Sequence, residues 1–429
     1  MKAFVSLLRE NHNYRYTWIG QLVSEVGDHF NNIAVFSLAV KTTHSPLVVT
    51  FILLARAVAV MAAGPLAGVL LDRLNRQRVM ITSDLVRMLV AAAFILTVKH
   101  PNEWLLYGLS FALMFASPFF TSGRASILPT IATEEELHTA NSLTQTTGWT
   151  TLSIGAFLGG TMAGFGYELA FAINALSFLA SALCIAQLRV SGGFRVRRKA
   201  LTEAEIARPW HEYIEGLRYI RSIPLVFGLL MVGVGWASGG GAAQILFTVF
   251  GEMVFNKGPM GLGAIWGCAG VGLVIGGAIA YRFGRQLSFE TYKWTIVVCY
   301  IIHGGSYILF SQMKSFALTL VFITLSRAGV GVSSVLNMWQ LLRTVPDEFR
   351  GRVFSTNESV QWSVMMLSMC AAGAATEFWN ARTIGAIAGA LSSMTAIYWA
   401  WANVTGRLPE PARPGIDPEE IEVHGEPAA

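Results

Sequence analysis

The sequence predicts an all-α membrane protein of twelve transmembrane helices arranged as two pseudo-symmetric six-helix bundles. Three observations carry this prediction. The chain has 429 residues, of which 53% are hydrophobic and 13% charged, with a mean hydropathy of +0.51. That is too apolar for a soluble domain and long enough for about a dozen spans of ~20 residues. Apolar runs recur twelve times with short polar breaks between them. Finally, a basic hairpin, GPLAGVLLDRLNRQR at residues 64–78, returns 209 residues later as GAIAYRFGRQ at residues 277–286. Gly68, Arg73, Arg76 and Gln77 match Gly277, Arg282, Arg285 and Gln286, while Tyr281 stands where Asp72 stands.

The first six runs fall near residues 16–40, 46–71, 79–98, 103–124, 141–166 and 168–188. The second six fall near 224–250, 259–283, 292–311, 315–342, 352–377 and 381–404. These lengths suit tilted helices. With both termini on one side, 23 of the 31 Lys and Arg lie on that side and five opposite, leaving Arg56, Arg87 and Arg327 inside spans. The positive-inside rule then makes both termini cytoplasmic. No cleavable leader is expected, because the first span follows a polar segment and lacks a small-residue cleavage site.

This divides the chain into an N-terminal bundle (1–188), a cytoplasmic linker (189–223), a C-terminal bundle (224–404) and a tail (405–429). The linker carries the basic cluster Arg195, Arg197, Arg198 and Lys199. Trp210, Tyr213, Ile214, Leu217 and Ile220 recur there at helical spacing, as in a helix lying on headgroups, although a plain charged linker fits equally. The tail mixes prolines with six acids and is expected to be disordered. Small residues stripe several spans, notably Gly155, Gly159, Gly160 and Gly164 in the fifth and Gly270, Gly272, Gly276 and Gly277 in the eighth. They let backbones approach closely, as static packing or as a sliding surface.

Several chemistries are excluded or disfavoured. Cys184, Cys268, Cys299 and Cys370 are scattered through apolar runs, without metal or disulfide spacing. No metal or cofactor is expected. There is no phosphate-cradling Gly-x-x-x-x-Gly-Lys-Ser/Thr loop, so an ion gradient or the substrate's own gradient must supply energy. The eight histidines are dispersed, which argues against a membrane enzyme. The basic charge follows topology rather than one soluble face, so nucleic acid is not an expected partner.

The hairpin, the paired six-span halves and the central basic loop resemble the major facilitator superfamily. The pattern Gly68-x-x-x-Asp72-Arg73-x-Asn75-Arg76-x-Arg78 is similar to that family's loop signature, with Asn75 in place of glycine; Asn tolerates the left-handed turn that glycine would supply. The stretches WIGQLVSEVGD (18–28), ANSL (140–143) and EGLRYIR (215–221) resemble the branch of enterobactin exporters and macrolide efflux pumps. The resemblance implies a major facilitator fold and transport by alternating access, with spans one, four, seven and ten on a central cavity. It also implies that Asp72 contacts the start of span eleven, near Gly351 and Arg352, and latches the halves when the cavity faces outward. The family's antiporter signature survives only in part, as GAFLGG (155–160) with Ala156 at its proline.

Ionisable groups inside spans are costly and mark candidate function. Asp28 lies about 12 residues inward from Tyr16, ~18 Å along a helix and near mid-membrane. Arg56 reaches similar depth, so the two are expected to pair, either as a proton-coupling switch or as a permanent ion pair. Glu25, one turn nearer the basic end, is the rival proton carrier. For substrate, the candidates are Arg327, Trp236, Gln244, Asn337, Phe115 and Phe119, with Phe111 beside them, an aromatic and amide wall suited to a bulky amphipathic compound. His303 is expected to be a packing histidine. The gate set is Gly68, Asp72, Arg73, Arg76, Arg78, Gly351, Arg352 and Glu358.

The expected function is a proton-coupled exporter of a drug-like compound or siderophore, monomeric and lipid-embedded in a bacterial inner membrane. Movement of a lipid or lysolipid is the alternative transport reading, and a non-transporting receptor or scaffold is the alternative of another class.

Overall fold

A computed structural model describes residues 2–189 and 209–410. The cluster at residues 195–199 and the tail beyond residue 410 lie outside the described residues. The first helices are α1 (Lys2–Glu10), α2 (His12–Thr43), α3 (Pro46–Arg73), α4 (Arg76–Ala93), the short α5 (Ile95–Lys99), α6 (Glu103–Ile131), α7 (Glu134–Phe165) and α8 (Tyr167–Ala186). After the undescribed stretch come α9 (Pro209–Ser222), α10 (Pro224–Val249), α11 (Gly258–Phe283), α12 (Phe289–Gln312), α13 (Phe316–Thr344), α14 (Asp347–Ala375) and α15 (Ala381–Val404). Among the described residues there is no strand, and nine helices are long and apolar enough to cross a membrane by themselves. The long helices α2, α7 and α14 pack among those nine.

Helix starts are set by side-chain caps that satisfy otherwise unpaired backbone N–H groups. Asn11 accepts from Tyr14 N, Asn102 from Trp104 N and Leu105 N, and Asn380 from Thr383 N. Thr133 and Glu136 form a reciprocal capping box at α7. The chain reverses between α2 and α3 through His44, at φ 55°, followed by the capping Ser45 and by Pro46 in the first turn. Asn75 corrects the expectation of a left-handed turn. Its φ is −67°, and its side chain accepts from Arg78 N, so it serves the hairpin as the cap of α4.

The packing repeats. In the first set α2 lies against α7 and α8, α6 against α3 and α4, and α4 against α8. In the second set α10 lies against α14 and α15, α13 against α11 and α12, and α12 against α15. Each of these contacts of the first set thus has its counterpart in the second. The two sets meet through α7 on α11 and α3 on α14, a reciprocal pair under the same correspondence.

One end of the bundle gathers the N-terminus, the α3–α4 and α6–α7 turns and the end of α8. Asn11 Nδ2 donates to Ile131 O at 2.7 Å, and Gln77 Nε2 to Ile185 O at 2.9 Å. It carries Arg73, Arg76, Arg78, Arg343, Arg350 and Arg352 and is called the basic end below. At the far end the two sets are tightly joined. An added Cβ at Gly160 would sit 2.7 Å from Pro259 O and 2.9 Å from Gly263 Cα, and one at Gly164 would sit 2.8 Å from Met260 Cε. Gly373 of α14 backs onto Thr50 of α3 in the same way. Towards the basic end, Gly68 of α3 and Gly351 of α14 have open space where a Cβ would be. α3 and α14 therefore meet at the far end through Gly373 and Thr50, while Gly68 and Gly351 have no close neighbour towards the basic end.

Candidate functional site

A cavity of about 350 Å³ lies in the basic half of the second set, between α10, α12, α13 and α14. Trp236 and Gly233 contribute from α10, Tyr300 from α12, Ser333 and Asn337 from α13, and Phe354, Asn357, Glu358 and Gln361 from α14. Helical periodicity explains the set: residues 354, 357, 358 and 361 recur at three and four and share one face of α14. The lining combines aromatic surface with fixed polar groups. Tyr292 donates its hydroxyl to Asn337 Oδ1 at 2.9 Å, and Asn337 Nδ2 donates to Ser333 Oγ at 3.0 Å, which locks that amide. Trp236 Nε1 and Asn357 Oδ1 are buried without a hydrogen-bond partner among the described residues. A ligand that meets them relieves the cost of leaving buried polar atoms unpaired. Glu358 is exposed and adds a carboxylate to the wall.

A second polar centre runs through the first set. Arg56 Nη1 donates to Asn32 Oδ1 at 2.7 Å, and its guanidinium lies 4.9 Å from the Phe36 ring centre. The expected direct Arg56–Asp28 pair is thus replaced by an Arg56–Asn32 hydrogen bond. Asn32 sits one helical turn beyond Asp28, so the neutral amide intercepts the guanidinium. Asp28 Oδ1 is buried without a partner, within electrostatic range of Arg87, Glu25, Arg56 and Asp84. Glu25 is tied more firmly: Gln21 Nε2 donates to Oε1 at 2.7 Å, Thr151 Oγ1 donates to Oε2 at 3.0 Å, and Arg124 Nη1 lies 3.8 Å from Oε1. α6 runs on to Ile131, past the end near residue 124 expected for the fourth run, so Arg124 lies inside the helix as a partner of Glu25.

Sequence reasoning missed the Asp84–Arg87 ion pair of α4. Asp84 is 0% and Arg87 2% exposed, and the guanidinium stacks over both Phe120 and Phe178, at 4.7 and 4.4 Å from their centres. An acid and a base three apart within an apolar run was the available signal.

The remaining candidates are dispersed. Arg327 is buried between α10, α11 and α12, 5.3 Å from the Phe247 ring centre and against Gly272, outside the cavity lining. His303 is buried, with Nδ1 2.8 Å from Ser326 Oγ, the packing role expected of it. Gln244 lies about two turns beyond Trp236 on α10, half-buried. Phe115 and Phe119 line a separate groove with Arg73 and Arg78, and Phe111 stacks on Phe115. Asp72 is exposed. Arg76 Nη1 donates to Ser126 O at 2.6 Å. Arg352 is held by Glu215 of the linker helix at 3.0 Å.

The sequence profile of the Major Facilitator Superfamily matches residues 17–364. An uncharacterized MFS-type transporter of Bacillus subtilis, YfiS, is 27% identical over 386 residues, 88% of this chain and 90% of that one. The multidrug efflux pump Tap of Mycolicibacterium fortuitum is 25% identical over 366 residues, 82% of this chain and 86% of its own. Macrolide efflux protein A of Streptococcus pyogenes is 22% identical over 364 residues, with 82% and 86% covered. Among solved structures, a POT family transporter in complex with a thioalcohol-conjugated peptide superposes with a TM-score of 0.71 at 9% identity, covering 91% of this chain and 96% of its own. A bacterial homologue of the iron transporter ferroportin, in its inward-facing state, gives 0.67 at 17% identity, with 90% and 98% covered. At such identities these structures speak for the fold alone. Profile and relatives agree that this is a transporter of small molecules rather than an enzyme, and the chain belongs to the Major Facilitator Superfamily.

Proposed function

We propose that the protein is a proton-coupled exporter of a bulky, amphipathic small molecule, drug-like or siderophore-like, working as a monomer in a bacterial inner membrane. Residues 1–188 and 224–404 are the two bundles that rock, joined by the linker at 189–223, and both termini are cytoplasmic. On that reading the basic end is the cytoplasmic end, and the conformation is inward-facing: closed at the far end by α7 on α11 and α3 on α14, open at the basic end. The observation that carries the reading is the cavity at Trp236, Asn337, Glu358 and Gln361, in the basic half of the second set. Its mixed aromatic and amide wall suits a molecule with both an apolar face and hydrogen-bonding groups. The efflux relatives support export as the direction.

Coupling falls to the first set. Asp28, with an unpartnered buried oxygen, is the group whose charge changes most readily without breaking an existing contact, whereas Glu25 would have to release Gln21, Thr151 and Arg124. A proton entering from the far end when the site is outward-facing, and leaving at the basic end when it is inward-facing, would drive substrate the other way.

The test is flux through the purified chain in proteoliposomes across a panel of amphipathic compounds, soluble dyes and labelled lipids. Movement of dyes or drugs but not lipids is expected. Movement of lipids alone would favour the lipid-transport reading, and binding without flux the receptor reading.

A further inference from the structure

Away from the substrate cavity, α3 and α4 form a slot at the basic end. Each packs along α6, but the two make little contact with one another. The groove between them holds about 550 Å³. Phe115, Ala116 and Phe119 of α6 form its floor, and Leu70, Leu74 and Val86 on its walls are exposed. Arg73 and Arg78 stand at its polar mouth, both exposed, and among the described residues neither guanidinium meets a carboxylate. Arg76, between them in sequence, is already committed to Ser126 O at 2.6 Å. Asp72, the nearest acid in sequence, leaves the mouth with a net positive charge. A headgroup-level pair of arginines over an apolar trough matches one ligand chemistry: a negatively charged phosphodiester on an alkyl chain. Two guanidiniums bind phosphate oxygens with paired N–H donors, and the trough takes a chain that would otherwise lie in bulk lipid.

We propose that this groove is a binding site for one anionic phospholipid, its phosphate between Arg73 and Arg78 and an acyl chain along Phe115 and Phe119. This goes beyond the export reading and does not depend on it. A seated lipid braces the α3–α4 turn against α6, so the lipid composition of the leaflet acts on the hairpin that carries Asp72.

The test is native mass spectrometry of the full chain released from mixed micelles of phosphatidylglycerol and phosphatidylcholine. The wild type is expected to retain one phosphatidylglycerol in preference to phosphatidylcholine. Arg73→Gln with Arg78→Gln is expected to weaken that retention about thirtyfold, taking ~1 kcal/mol per arginine. Thr82→Trp, at an exposed groove position, fills the trough without altering charge and should also expel the lipid. Arg343→Gln, at the same end but outside the groove, should keep it. A circular-dichroism melt of each variant separates lipid loss from unfolding. Equal retention of both lipids, undiminished retention in the Arg73/Arg78 variant, or displacement of phosphatidylglycerol by inorganic phosphate would each overturn the site.

Discussion

Arg87 is buried between two phenylalanine faces and paired with Asp84, a full ion pair removed from both water and headgroups. Removing one partner strands the other charge. Asp84→Ala or Arg87→Ala is therefore expected to destabilise the fold by about 3–5 kcal/mol, whereas the pair replaced together costs less than either alone. Thermal unfolding in detergent reads this order, and equal effects of the single and double variants would contradict it. Asp28 is different in kind: its buried oxygen has no partner to lose. Asp28→Asn should leave the melting temperature close to wild type while abolishing the response of transport to pH. At this scale the sequence located the ionisable residues but not their partners. Asp28, Arg56 and Arg327 were legible because charges in apolar runs are rare. Their depth along the helix was predictable to a turn, but the direction in which each side chain reaches was not, so Asn32 and Phe247 as partners of Arg56 and Arg327 emerged only with the packing.

Among the elements, the linker helix α9 carries the least expected contact. It docks on the start of α14 instead of lying only on headgroups: Tyr219 stacks on Phe349 with centroids 4.5 Å apart, Ile220 is buried, and Glu215 holds Arg352 at 3.0 Å. The ion pair is partly exposed and contributes ~0.2–1 kcal/mol, while the stacked ring contributes ~0.5–1.5 kcal/mol beyond its buried area. Tyr219→Ala should thus free α9 more than Glu215→Gln, measured as faster hydrogen exchange across residues 209–222; the reverse order would contradict the account. Burial pushes the Tyr219 phenol above its ordinary pKa, so it stays neutral and the stack should hold across physiological pH. The amphipathic spacing of Tyr213, Leu217 and Ile220 was visible in the sequence, but an amphipathic helix does not announce whether lipid or protein covers its face. The glycine stripe of α7 shows the same limit. Gly155 and Gly159 receive His29 and Phe30 of α2 within the first set, and Gly160 and Gly164 receive α11 across the divide. Gly263→Leu, whose Cβ alone would lie 2.7 Å from Gly160 Cα, should force α7 and α11 apart at the far end. Spin labels at Leu47 and Thr376 should then lengthen in separation; an unchanged distance would show that this contact does not close the far end.

For the whole molecule, the repeated contact pattern of the two sets was foreshadowed by the twofold hairpin, since a duplicated turn implies duplicated neighbours. Most helix boundaries followed the apolar runs, because hydrocarbon tolerates no unpaired backbone. The largest exceptions are the end of α6 at Ile131 and the start of α7 at Glu134, where the helices continue past the apolar runs expected at 103–124 and 141–166. The conformation was not legible. Which end is closed depends on small free-energy differences between two packings of the same helices, and no local pattern encodes that. We propose that the latch that the resemblance implies between Asp72 and the start of α14 is released in this conformation, in which the hairpin acid is exposed and Arg352 is held by Glu215. Asp72→Asn should accordingly leave the inward-facing state intact and deplete the outward-facing one. Cysteine accessibility at position 358 should rise; if it is unchanged, the latch assignment fails. The central proposal is export driven by protons through Asp28. The most direct measurement is uptake of a transported amphipathic dye into everted vesicles or proteoliposomes, with and without an imposed proton gradient, for wild type and Asp28→Asn. The account predicts gradient-dependent accumulation by the wild type and only gradient-independent equilibration by Asp28→Asn. Accumulation that persists in the wild type after the gradient is collapsed, or a full gradient response in Asp28→Asn, would contradict it.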